Sequence, residues 1–388
     1  MANEESFDVI VVGAGPAGGE CARHLSENSK LSVLLIDETT ELGQPKKSTA
    51  GALDETVLEF GLPKRTSLWE IDSLVFKGRT NTSKLPCKGH VLDFAYLKSF
   101  LAREAMRSGA HFLLGAVAEG PIIEGGKVVG IEYRNIYGEK QIAKSRLVID
   151  ATGPSAVIAT KAGIRHLDTA NHGVGVEFEM DGFDVEYPRS WVIGFDFERV
   201  PGGYYWVYPL GETSGRVGVC WRMDAFMKKR PAGGTPLHQL KLLIESDERF
   251  RKGTPVEMHG GAGYLDTSER AVGDGLIAAG DAVSTLEPIV GEGIREALRS
   301  GRLAAKVSLD AFSKNDFSGK FLSRYCSELE RMQKDRKFRM LLSKAIYNLP
   351  NDRIDKVVEN LGKLDEGERE RLFGFGLTLK DALKVAPI

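Results

Sequence analysis

Three glycines in the stretch VVGAGPAGGE, Gly13, Gly15 and Gly18, and an acid further along, Asp37, carry the most specific chemistry in the chain. Glycine at the first position allows a tight turn, at the second lets backbone approach a pyrophosphate, and at the third lets the next helix pack closely on its strand. A helix starting there offers unpaired N–H groups and partial positive charge to a phosphate. Asp37 can accept hydrogen bonds from a ribose. The pattern points to a dinucleotide and leaves nicotinamide and flavin forms both open. A second glycine set lies far downstream in GDAVSTLEPIVGEGI, where Gly280 and Asp281 end one element and Pro288, Gly291 and Gly293 lead into another helix start. Two such sites, far apart in sequence, suit opposite ends of one long ligand. The third set is aromatic: in VPGGYYWVYPLGE, Tyr204, Trp206 and Tyr208 alternate. On a strand their rings share one face and can line an apolar tunnel; plain core packing is the commoner use of such a stripe.

The elements that position these residues follow from periodicity. Residues 7–12 form a short β-branched run typical of a buried parallel strand, and 16–28 have helical composition with Cys21 and Leu25 spaced to face a sheet. LSVLLIDE supplies the next strand and ends in Asp37. Residues 38–63 are loop-rich, interrupted by glycine and proline. Helix returns within 90–115, with Leu92, Tyr96, Leu97, Phe100 and Leu101 as its stripe, then a strand in AHFLLG. A hairpin turning at Gly125-Gly126 follows, and then a strand running into Asp150 and Gly153. From 172 to 225 the period is two, as in GVGVEFEM and GRVGVCWRM, which predicts an antiparallel sheet with one covered face. Near 275 the first architecture resumes, and from about 310 the spacing is helical. The fold class is α/β, α+β overall. Residues 1–75, 90–165 and 270–310 are expected to build a discontinuous dinucleotide domain, 76–89 and 166–269 an inserted β-rich substrate domain, and 311–388 a helical region.

Bulk properties narrow the classes. The chain has 388 residues, a formal net charge of −2 and 27% charged residues, so no global basic field exists to collect nucleic acid. Four scattered cysteines without a CxxC pair argue against a zinc site, an iron–sulfur set and a disulfide framework. No apolar run is long enough to cross a bilayer, and the start MANEESFD is acidic where a signal peptide would be basic. The expectation is a cytoplasmic protein. Contact with a membrane surface stays open, because Arg331, Lys334, Arg336, Lys337 and Arg339 stand beside Met340, Leu341, Leu342 and Ile346. A solvated helix with a core-facing stripe is the commoner reading of that segment. The seven histidines fall in no motif; His90, His172 and His259 flank the expected domain boundaries and read as ordinary polar or core residues.

GAGPAG, Asp37, DATGPSA and GDAVSTLEPIVGEGI together resemble the glutathione-reductase-type flavoproteins that include the para-hydroxybenzoate hydroxylase relatives. The resemblance spans residues 7 to about 310 and implies a Rossmann-like domain holding FAD. The N-terminal turn would hold the pyrophosphate, Asp281 the ribityl side, and the helix start from Gly291 to Ile294 the pyrimidine edge of the flavin, where reduced flavin is anionic. It further implies contacts from Ala17, Lys47, Ser48, Thr49, Gly51, Ala118, Asp150, Gly153 and Gly280. A narrower resemblance lies in YYWVYP and in the loop ELGQPKKSTAG, which are similar to the geranylgeranyl reductase family, including its archaeal digeranylgeranylglycerophospholipid reductases. Those enzymes saturate isolated double bonds of isoprenoid chains with reduced FAD, which implies a polyprenyl lipid as substrate, Tyr204, Trp206 and Tyr208 against it, and Tyr204, Trp206 and Ser48 as catalytic candidates. Tyr204, Ser48 and the flavin itself are the candidate proton donors. The electron donor is open among ferredoxin, NAD(P)H and other carriers, since no second GxGxxG is present. Three positions depart from the family pattern: Ser48 replaces a cysteine, Phe94 stands near an expected arginine, and Glu287 replaces an aspartate. The alternatives are a flavin monooxygenase or halogenase of the same fold, and a flavin electron carrier.

Overall fold

Runs of valine, isoleucine and leucine that are buried on both sides make the first sheet. In the computed structural model, which describes residues 4–168, 171–229, 234–265 and 271–387, five parallel strands lie in the order Leu276–Ala278, Lys140–Asp150, Glu4–Val12, Val33–Asp37, His111–Leu114. Val9 to Val11 and Leu147 to Ile149 are fully buried at its centre, as parallel strands covered on both faces require. The helices Pro16–Asn28, Phe94–Arg107 and Ile294–Lys314 pack into one core with that sheet, and Cys21 and Leu25 both enter it. Gly301 allows the last helix to cross the first, because a Cβ there would stand 2.1 Å from the Ala17 carbonyl oxygen. The expected hairpin is present as Val117–Glu124 and Lys127–Arg134, with Gly125 and Gly126 at positive φ.

The second sheet has the order Thr254–Tyr264, His172–Asp181, Ser214–Arg222, Gly203–Pro209, Ser190–Gly194, Ser67–Lys77, Thr82–Leu92, Gly51–Leu53. Its pairs are antiparallel, apart from Ser190–Gly194 beside Ser67–Lys77, which is parallel. It therefore reaches back to residue 51 and takes in 67–75 and 90–92, beyond the expected 76–89 segment. A parallel pair so distant in sequence has no turn to announce it. The stretch expected to be loop likewise holds Gly51–Leu53 and the helix Asp54–Glu59, and the helix expected from about 90 begins at Phe94 because Leu92 still pairs with its neighbours.

Period two sorts the two faces of this sheet. Val192, Tyr205, Val207, Val217, Val219 and Trp221 form a core with Leu240 and Leu243 of the helix Pro236–Ser246. Ile193, Tyr204 and Trp206 face the other way and pack with Tyr347, Ile354, Val357 and Leu361. The last group comes from or adjoins the C-terminal helices Arg336–Ile346 and Asn351–Leu361, so the helical region roofs the aromatic face.

Candidate active site

Between the C-terminal ends of the parallel strands and the aromatic face lies a cavity of about 880 Å³. At one end, Gly13 takes φ +102°, and a Cβ on it would sit 2.4 Å from the Ala151 carbonyl oxygen, while one on Gly18 would sit 1.9 Å from the Gly13 carbonyl oxygen. Both glycines are demanded by backbone packing. A Cβ on Gly15 would meet nothing within 4 Å; that position opens on the cavity, at the start of a helix whose N-cap, Gly15 itself, offers no side chain. Asp37 secures the turn: its Oδ2 accepts from the Ala14 N–H at 2.6 Å and its Oδ1 from the Thr39 N–H at 2.9 Å.

The other end is the loop before helix Ile294–Lys314. Glu287 folds it by accepting at Oε2 from the N–H groups of Ile289 at 2.8 Å and Val290 at 2.7 Å. The hydroxyls of Tyr204 and Tyr347 donate to the carbonyls of Val290 and Ile289. Arg339 pairs with Glu287 at 3.1 Å and Arg336 donates to the Leu286 carbonyl at 2.6 Å. The helix N-cap, Gly293, again has no capping side chain. Asp281 is enclosed, and burial pushes its carboxyl above the usual range against the hydrogen bond from Thr285.

Most residues singled out in the sequence line this one cavity: Gly13, Gly15, Ala17 and Asp37 from the first turn; Lys47, Ser48, Thr49 and Gly51 from the following loop; Ala118 and Gly153; Gly280, Asp281, Pro288, Gly291, Gly293 and Ile294; and Tyr204, Trp206 and Tyr208 from the second sheet. Two do not. Gly18 is consumed by helix–strand packing. Asp150 is fully buried behind the wall, accepting from Thr152 N–H, Thr152 Oγ1 and Ala159 N–H, so it organises the DATG turn and does not reach a ligand. Tyr204 lines the cavity as expected, but its hydroxyl is committed to Val290 and burial raises its phenol well above the ordinary value. That is a poor setting for a proton donor. Trp206 lies flat on the sheet because Gly218 leaves the slot: a Cβ there would be 2.2 Å from the indole. The surface-binding reading of the basic segment also changes, since Arg336 and Arg339 point inward and are buried.

Sequence reasoning missed several residues that line the cavity. Lys98 stands one helical turn after Phe94, its ammonium 5.2 Å from that ring, donating to the carbonyl of Pro45 at 3.0 Å. Burial draws its pKa down to about 8, with Asp37 opposing. Glu177 and His259 line it from neighbouring strands. Glu177 shares the sheet face of Trp206, both standing opposite Gly218.

The cavity fits a flavin dinucleotide. Its volume falls in the upper part of the roughly 300–1,000 Å³ range of ligand pockets. Two helix starts with glycine at the N-cap open on it, and while Glu292 Oε1 accepts from the Arg295 N–H at 3.0 Å, its Oε2 in the lining is buried with no hydrogen-bond partner, leaving an acceptor for a ligand N–H or O–H. Fold and site thus define a dinucleotide-dependent oxidoreductase. Residues 8–173 match the family described as FAD dependent oxidoreductase.

The chain is 31% identical to the digeranylgeranylglycerophospholipid reductase of Haloferax volcanii, over 95% of this chain and 93% of the relative. It is 33% identical to digeranylgeranylglycerophospholipid reductase 1 of Methanopyrus kandleri, over 85% and 87%. A geranylgeranyl bacteriochlorophyll reductase-like protein from Thermoplasma acidophilum has a similar structure, with a TM-score of 0.88 at 24% identity over 99% of this chain and 96% of that one. The flavin-dependent brominase Bmp2 shares the fold at a TM-score of 0.72 and 20% identity, over 92% and 93%. The chain belongs to the digeranylgeranylglycerophospholipid reductase family of FAD-dependent oxidoreductases, with FAD as its cofactor.

Proposed function

We propose that this protein saturates isolated double bonds in the geranylgeranyl chains of a glycerophospholipid. The carrying observation is continuity: one cavity joins the dinucleotide cradle to the aromatic face built by Ile193, Tyr204, Trp206 and Tyr208. An isolated alkene offers no carbonyl to polarise, so catalysis rests on alignment and exclusion of water. Bound in the cradle, reduced FAD supplies the hydride. The chain's residues do the rest. The turn from Gly13 to Gly15 and the helix behind it would hold the pyrophosphate, Asp37 would face the ribose, and Lys98 would supply the cation that Phe94 cannot. Glu287, Tyr204 and Tyr347 fix the loop from Pro288 to Gly293 against the flavin ring. Trp206 and Tyr208 seat the isoprenoid chain and keep water out. Ser48, whose Oγ accepts from the Ala50 N–H at 3.1 Å, occupies the loop position where the family carries a thiol.

The test is an anaerobic half-reaction. Chemically reduced holoprotein mixed with digeranylgeranylglycerophospholipid in micelles should regain its oxidised flavin absorbance, while mass spectrometry shows the lipid gaining two hydrogens per saturated bond. Flavin that stays reduced until oxygen is admitted would support the halogenase or monooxygenase reading. Because the lipid resides in a bilayer, we also propose peripheral contact with a membrane; among the described residues no helix is long and apolar enough to cross one.

A further inference from the structure

Saturating a double bond adds two hydrogens of different kinds. One arrives on its carbon with an electron pair as hydride from the reduced dinucleotide. The other must reach the neighbouring carbon as a proton, and Tyr204, its hydroxyl held by the Val290 carbonyl, is poorly set to give it.

A chain of ionisable groups runs from the surface to the cavity through the second sheet. Glu177 and His259 are register partners on adjacent strands, and both side chains are about 97% buried or more. His259 Nδ1 lies 3.1 Å from Glu177 Oε1. The other carboxylate oxygen, Oε2, accepts from Thr49 Oγ1 at 2.6 Å and from the Trp206 indole N–H at 2.8 Å. On the far side, His259 Nε2 lies 3.1 Å from Glu257 Oε1 as an ion-pair contact without hydrogen-bond alignment, and Glu257, 37% exposed, pairs with Lys46 at 2.6 Å. Thr49, half-buried, lines the cavity together with Glu177 and His259. The remaining charges around the pair are Glu179, which faces Glu257 across the strands and holds Arg216 at 3.0 Å, and Lys47, beside Gly261. Arg216 donates to the Thr49 carbonyl at 2.7 Å and so fixes the loop that carries the hydroxyl.

We propose that Glu257, His259, Glu177 and Thr49 form the proton path of the reaction, with the His259–Glu177 pair as its reservoir. The idea rests on the reductase reading above. In the step itself, Thr49 Oγ–H breaks as the new C–H bond forms on the alkene carbon that does not take the hydride. His259 Nδ1 passes its proton to the Glu177 carboxylate, which hands a proton to the Thr49 oxygen as that O–H breaks, leaving a neutral imidazole that regains its proton from water on the Glu257 side. Net consumption is one hydride and one proton per bond. Hydrogen bonding to Glu177 outweighs burial and raises the pKa of His259 above its ordinary value, so the pair keeps its proton to higher pH than a free imidazole and loses it as pH rises through that raised value.

The test uses Glu177→Gln, which keeps an acceptor for Thr49 and Trp206 but cannot relay a proton, and His259→Gln beside it. Both should bind FAD and be chemically reduced like wild type, while lipid-dependent flavin reoxidation slows by about 100-fold or more, the scale of general acid catalysis. The alkaline limb of the wild-type profile should vanish in both. In FAD-free protein, histidine NMR should show His259 titrating above the ordinary range, and falling toward it in Glu177→Gln. A pH profile and reoxidation rate unchanged in Glu177→Gln overturn the path, as does a His259 resonance that ignores that substitution. Slowing with an intact alkaline limb assigns Glu177 to orienting Trp206 and also overturns it. A wild-type flavin that the lipid never reoxidises fails the reductase reading itself, and the proton path with it.

Discussion

Lys98 is a cation held in a place that disfavours its charge, which makes it a reporter of what the cavity binds. Burial brings its pKa to about 8, so between that value and the unfolded value the folded chain binds fewer protons than the unfolded one. Stability from this group accordingly rises with pH across that window and is lost below it. A phosphate-bearing ligand reverses the local balance by favouring the charged form. Binding FAD at about pH 9 should therefore take up a fraction of a proton, and at neutral pH almost none, because the ammonium is already formed. Calorimetry of FAD binding in two buffers of different ionisation enthalpy reads this directly. Lys98→Met should abolish the uptake and weaken binding; uptake that persists in the variant would remove Lys98 from the phosphate end. The residue was hard to see in the sequence because an arginine was sought near 94, and a lysine one turn later on the helix reaches the same wall. Gly13 and Gly18 were legible because the backbone packing there admits one residue type.

The loop from Leu286 to Gly293 has its shape fixed mostly by side chains from other elements. Arg339 is 3% exposed, lies between Glu287 at 3.1 Å and Asp335 at 2.9 Å, and donates as well to the carbonyls of Arg371, Leu372 and Gly374. Removing it leaves two buried carboxylates without their cation. Arg339→Met should cost roughly 3–5 kcal/mol in urea unfolding, and FAD affinity should fall with it if, as proposed, the turn that Glu287 shapes faces the flavin. Stability within about 0.5 kcal/mol of wild type, as for an ordinary surface change, would show the pairing to be incidental. The sequence leaves the segment of Arg339 open between a membrane-facing helix and a solvated helix with a core-facing stripe, because basic residues beside apolar ones look alike whether the helix meets lipid or protein. The same ambiguity hid Glu177: period two separated the faces of strand His172–Asp181 correctly, yet cannot distinguish a face turned to solvent from one turned to a cavity. The βαβ start and the hairpin at Gly125-Gly126 were readable because their signals are local, whereas the parallel pairing of Ser190–Gly194 with Ser67–Lys77 is set by tertiary packing.

For the molecule as a whole, the relation to test is the proposed one between the cavity and a membrane surface. The C-terminal helices that roof the aromatic face also present a surface outward: on Arg336–Ile346, with Arg336, Arg339 and Ser343 turned inward, Lys337, Leu341 and Lys344 are left exposed. Leu341 is 67% exposed, and the spacing of four and three puts it on one stripe with both lysines. A leucine between two lysines suits the headgroup boundary of an anionic membrane, each lysine contributing about 1 kcal/mol near such a surface. Lys337→Glu with Lys344→Glu should lower flotation with phosphatidylglycerol vesicles by about 10-fold or more, the two lost attractions being joined by repulsion. Turnover of lipid presented in vesicles should drop in parallel, while turnover in detergent micelles and FAD content stay as in wild type. Flotation that survives the double charge reversal would move the membrane contact to another face, and loss of micellar turnover as well would mean the helix serves the active-site roof alone.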